Sequence, residues 1–232
     1  MSLFDLKANI IPQVDPDFES IVDTINTLKL IKEMNISKVC AAPSYYDSVD
    51  FDIKSIIIEI QREASKLDKF DIPELFSSIV YPVNLKFDKL DKLETINGTG
   101  YLFCQFPFHD LNKDFTDKIK ALINQNYIPV LLNLEQSFLK SKLNQIKELK
   151  SIGCLISIDL FLYVNNWSKL VKDSIRRLES EYLIDIVTGF SKLENLDQEI
   201  YRFCKDSKID ETKLREIYMN ENPNLITNSS KR

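Results

Sequence analysis

Strand-length apolar runs alternate with segments whose apolar residues recur every three or four positions, and this alternation limits the possible folds more than any other feature of the chain. Phe18, Ile21, Val22, Ile25, Leu28, Ile31 and Met34 share one helical face. In "DPDFES", Asp15 is expected to cap that helix and Pro16 to take its first position, with the acids at the positive end of the dipole. The same spacing predicts helices over 53–67, 115–123, 139–149, 170–178 and 193–203. Between them, "LFDLKANI", "SKVCAA", "SSIVYPVNL", "YLFCQF", "IPVLLN", "CLISID" and "LIDIVT" read as strands.

Strands that are apolar on both faces and separated by helices imply a parallel sheet whose crossovers cover its outer side. An unbroken series of such units predicts an α/β chain closed into a TIM-like (β/α)7 barrel. An open dinucleotide-binding sheet would want a Gly-rich first turn, and "IIPQVDPD" contains no glycine. The chain has only four glycines, whereas average usage would give roughly sixteen, so phosphate-cradling loops are scarce. No linker-like tract divides the 232 residues; one domain over 1–227 is expected, followed by a polar tail, 228–232.

Thirty basic and 35 acidic side chains are scattered along the sequence and leave a net charge of −5, which argues against nucleic-acid binding. No run is long enough to span a membrane and no secretion signal opens the chain, so a cytoplasmic protein is expected. Cys40, Cys104, Cys154 and Cys204 are too far apart for a zinc or redox motif and read as reduced core residues.

In barrels of this kind chemistry sits where strands run into the loops before their helices. There the sequence places Lys7 and Asn9, Ser44, Asn84, Gln105, Asn133 and Glu135, Asp159, and Thr188 to Lys192. Strand ends meet water and carry polar groups in any barrel, but a polar group after nearly every strand suggests a converging site.

The segments "FDLKANIIPQVD", "KVCAAPSYY", "YLFCQFPF", "IPVLLNLEQSF", "IDIVTGFSKLE" and "ENPNLI", in this order, resemble the polymerase and histidinol phosphatase (PHP) family. They are most similar to its bacterial manganese-dependent protein-tyrosine phosphatases of capsule and exopolysaccharide operons. The resemblance implies a distorted seven-stranded barrel that holds about three metal ions through histidines and carboxylates. The family's opening His-x-His then falls on Lys7 and Asn9, its histidine after the second strand on Ser44, and a glutamate on Gln105. The histidine of His-Pro-Glu-Arg falls on Asn133 and the phosphate-holding arginine on Gln136, while the late Asp-x-His falls on Phe190 and Lys192. Asp15 survives from the metal set, with Glu135 from a neighbouring motif.

A metal-activated hydroxide needs a cation held by several anionic or imidazole ligands. Asp15, Glu135 and Asp159 offer oxygen, but Lys7 would repel a cation there. Neither a metal site nor another cofactor is therefore expected. Lys7, with Lys192, could anchor an anion where the family holds phosphate; it could equally pair with Asp15 or Glu135. The only histidine, His109, reads as a loop residue, and no cysteine has an arginine six positions on. Asp50 and Asp52 read as helix caps.

The first reading is therefore an inactive pseudo-phosphatase whose pocket comprises Lys7, Asn9, Asp15, Ser44, Gln105, Asn133, Glu135, Gln136, Asp159 and Lys192. Its implied partner is a tyrosine-kinase tail, a glycan-assembly protein or a phosphorylated ligand. Tyr45, Tyr46, Phe106, Phe108, Phe138 and Trp167 could form a contact surface, or simply pack the barrel end. The alternatives are a phosphoester hydrolase using Asp15, Glu135 and Asp159, and a structural subunit.

Overall fold

The structure, a computed structural model, describes residues 2–45, 52–67, 71–82, 93–105, 113–136, 139–165 and 168–229. Its strands are β1 (Leu3–Ala8), β2 (Ile36–Ala41), β3 (Glu74–Ser77), β4 (Val80–Pro82), β5 (Tyr101–Gln105), β6 (Ile128–Leu132), β7 (Leu155–Asp159) and β8 (Ile186–Thr188). Neighbours pair in parallel in the orders β1-β2-β3 and β4-β5-β6-β7-β8.

The expected third strand is interrupted at Ser78 and Ile79, which splits it into β3 and β4 and begins it earlier than the sequence suggests. The end of β2 and the chain just past it hold both halves: Ser78 N–H donates to the Ala41 carbonyl at 3.0 Å and Val80 N–H to that of Pro43 at 2.9 Å. The eight segments thus fill seven strand positions of a (β/α)7 barrel.

Helices α1 (Ile21–Glu33), α2 (Ile53–Ser65), α3 (Lys113–Asn124), α4 (Leu139–Ser151), α5 (Leu160–Asn165), α6 (Lys169–Ser180) and α7 (Leu196–Ser207) form the crossovers. Asp52 caps α2 as expected; Asp50 lies outside the described residues. Asp15 does not cap α1. Ser20 does, in a reciprocal capping box with Asp23, because the Asp15 carboxylate is already taken by the Ile11 N–H at 2.7 Å. Phe18 is buried ahead of that helix instead of on it. The sequence reading also missed α5 and a helical segment over 211–228 that contains a π-helical stretch, Leu214–Glu221. That segment carries helix through Asn228, one residue into the expected tail.

Two apolar clusters result. Phe4, Leu6, Cys40, Ala42, Val80, Phe103, Val130, Leu132 and Ile186 fill the barrel, joined by Ile96 and, from the C-terminal helix, Ile226. The larger cluster packs the outer strand faces against the helices. Cys40, Cys104 and Cys154 are buried as free thiols, and Cys204 is half-buried.

Among the described residues β8 and β1 share no ladder, and a side chain closes this seam. The buried Asp5 carboxylate accepts hydrogen bonds from Gly189 N–H at 2.9 Å and Ser191 N–H at 2.8 Å, and from Lys7 N–H at 3.2 Å. Burial raises the Asp5 carboxyl above its ordinary range, and the Ser191, Lys7 and Gly189 amides oppose that rise. Asp5→Ala leaves these donors without an acceptor and should cost roughly 3 kcal/mol of stability, measurable as a lower urea midpoint with little change in slope.

Candidate functional site

The carboxyl ends of the strands surround a cavity of about 320 Å³. Eight of the ten candidates line it: Lys7, Asn9, Ser44, Gln105, Asn133, Gln136, Asp159 and Lys192. Local backbone puts them there. The β1 ladder is irregular between Asp5 and Ala8, which lets Leu6 stay among the barrel's apolar residues while Lys7 reaches the mouth. Asn133, in the left-handed region at φ 64°, turns the end of β6 into the short 3-10 turn Leu134–Gln136.

Asp159, at the end of β7, organises the floor. One oxygen accepts from Leu162 N–H at 3.0 Å and the other from the Lys7 ammonium at 3.3 Å. Both side chains are largely buried, 18% exposed for Lys7 and 7% for Asp159. Of the two roles open to Lys7, the structure shows an ion pair, with Asp159 in place of the expected Asp15 or Glu135. Lys192 pairs with the exposed Asp17 at 3.3 Å and lies over the Phe161 ring.

Gly189, at φ +72°, lies against the Asp159 carboxylate so closely that a Cβ there would collide with it.

Glu135 and Asp15 are not on the cavity wall. Glu135 is fully buried; one of its oxygens accepts from Asp159 N–H at 3.3 Å, and the other has no hydrogen-bond partner. Burial first, and then the Asp159 charge, push its carboxyl up to about 8. Asp15 is buried around its bond to Ile11, and burial raises it too, against that amide and the Lys192 and Lys7 charges.

The remaining polar groups on the wall are uncharged. The side chains of Asn9, Ser44, Gln105, Asn133 and Gln136 make no hydrogen bond among the described residues, and the Asn133 Oδ1 is buried without a partner, a state that costs roughly 1–3 kcal/mol.

Asn84, His109 and most of the suggested aromatic surface (Tyr46, Phe106, Phe108, Phe138 and Trp167) lie outside the described residues. Tyr45 packs on Tyr81, with ring centroids 5.3 Å apart. Asp5 was missed as a site-building residue, although its place two positions before Lys7 was a signal.

The sequence pattern of the capsular polysaccharide synthesis family, CpsB/CapC, matches residues 3–226. The chain belongs to the CpsB/CapC family. A solved structure described under YwqE from Bacillus subtilis and CpsB from Streptococcus pneumoniae, unique metal-dependent tyrosine phosphatases, superposes with a TM-score of 0.79. It is 17% identical and covers 99% of this chain and 96% of its own, which establishes the shared barrel. A probable 2-pyrone-4,6-dicarboxylic acid hydrolase from Acinetobacter baumannii is more distant, at 11% identity and a TM-score of 0.46, over 98% of this chain and 99% of its own. No curated protein matches the chain.

The described wall of this CpsB/CapC barrel mouth does not supply the ligands of a divalent cation. Hard cations take several oxygen ligands, anionic ones foremost. Among the described residues Asp159 is the only carboxylate on the wall, and an ammonium already pairs with it. Among the described residues no three His, Cys, Asp or Glu side chains converge.

Two outcomes follow from this geometry. An unfolded glutamate titrates near 4.5 and the folded Glu135 near 8, so this residue favours folding most below pH about 4.5, and its contribution is lost as pH rises to about 8. Glu135→Gln should therefore remove up to about 1.4 kcal/mol per pH unit of that decline, and pH-dependent melts should find the variant the more stable protein at alkaline pH. Gly189→Ala should destabilise the chain by about 1–3 kcal/mol, with displacement of Asp159 visible in a crystal structure.

Proposed function

We propose that this CpsB/CapC chain is a pseudo-phosphatase, a non-catalytic barrel that serves capsule or exopolysaccharide synthesis by binding at its mouth. The observation that carries this reading is the Lys7–Asp159 ion pair. Among the described residues it puts an ammonium against the only carboxylate of the cavity wall, and the remaining polar wall groups are amides, a hydroxyl and the already paired Lys192.

The hydrolase alternative has little support. Glu135 is buried and held protonated up to about pH 8, and Asp15 is engaged with the backbone; neither reaches the cavity. Nor does the pairing favour a phosphorylated ligand, because a phosphate would have to displace the Asp159 carboxylate from Lys7.

The test is direct. Purified protein supplied with manganese should retain well under one metal ion per chain by elemental analysis and should not turn over an aryl phosphate. Stoichiometric manganese together with turnover that disappears in Asp159→Ala would overturn the proposal.

A further inference from the structure

We infer that the mouth cavity takes a neutral polyhydroxylated ligand, a saccharide unit, with the carboxamides of Asn9, Gln105, Asn133 and Gln136 as its reading groups. The inference rests on the non-catalytic reading and names the ligand class of that site.

Three observations lead to it. Among the described residues each charged group of the wall has an ion-pair partner, since Lys7 holds Asp159 and Lys192 holds the exposed Asp17, each at 3.3 Å. Among the described residues an anionic ligand therefore has to compete with Asp159 for Lys7 or with Asp17 for Lys192, and a cation has to compete with Lys7 for Asp159.

The uncommitted groups also have a distinctive chemistry. Each carboxamide presents two donors and an acceptor, and the Ser44 hydroxyl presents both functions. A sugar hydroxyl likewise donates and accepts, so a ring bearing one on most of its carbons can engage several such groups at once. The buried, unpaired Oδ1 of Asn133 shows that the protein does not complete this network by itself.

Shape gives the third argument. Leu132, Phe161 and Leu162 add apolar wall beside the carboxamides, matching the mixture of C–H faces and hydroxyl edges of a pyranose. The volume, about 320 Å³, lies at the small end of ligand sites. It suits one compact ligand better than an extended peptide, which would pair along a strand edge or groove.

Ligand-observed saturation-transfer NMR on the full chain tests this, with glucose, galactose, N-acetylglucosamine and maltose as neutral probes. Inorganic phosphate, phosphotyrosine and a tyrosine-rich peptide serve as the competing classes. At least one neutral saccharide should receive saturation, insensitively to salt, and bind about tenfold more weakly in Asn9→Ala and in Gln105→Ala. Neither side chain has a partner among the described residues, so both variants should melt like the parent.

The inference falls if no neutral saccharide receives saturation, or if binding is unchanged in both variants. It falls equally if phosphotyrosine or the peptide binds through these residues and the saccharides do not. Failure here without aryl-phosphate turnover removes only the ligand class, whereas manganese-dependent turnover removes the non-catalytic reading itself.

Discussion

One carboxylate completes this barrel. A parallel barrel has to return its last strand to its first, and here the backbone ladder does not make that junction among the described residues. Asp5 makes it by accepting N–H groups from Gly189 and Ser191 beyond β8 and from Lys7 within β1. Ionic character helps, since a charged acceptor forms stronger hydrogen bonds to amides than a neutral one, although burial works against ionisation. The seam therefore depends on several donors acting together. They come from the two chain segments that also carry Lys7 and Lys192, so barrel closure and the shape of the mouth are one problem.

That coupling accounts for the lysine at the end of the first strand. A flexible, exposed lysine could serve an anion, but Lys7 leaves a backbone held through Asp5 and points its ammonium at Asp159. Asp159 is itself fixed by the Leu162 amide and the bare Cα of Gly189. Such a pair resists exchange for an outside ion, because removing either partner strands a largely buried charge.

Much of this was legible in the sequence. Period-four apolar spacing located the six longer outer helices, and continuous apolar runs located the strands. The barrel follows because seven such units without a glycine-rich first turn have few other ways to cover both sheet faces. Eight candidate residues meet in one cavity because the carboxyl end of every strand opens on the same side. The misreadings were local contests for hydrogen bonds. Asp15 looked like a helix cap, but it is drawn back to Ile11, and Ser20 with Asp23 outcompetes it. The break between β3 and β4 rests on backbone bonds to Ala41 and Pro43, which no residue pattern announces. Asp5 read as part of an apolar strand because its partners lie about 185 positions away.

The acids around the mouth show how the site is neutralised. Asp5, Asp15 and Glu135 are all buried, and burial raises all three. A metal site gathers carboxylates and offsets their repulsion with a cation, which keeps them ionised. Here the acids among the described residues are dispersed, each to its own backbone amides, and of these only Asp159 is left to face the cavity. Protonation offsets the burial of Glu135, and one ammonium balances Asp159. What the described wall still offers is hydrogen-bonding capacity, in the carboxamides of Asn9, Gln105, Asn133 and Gln136.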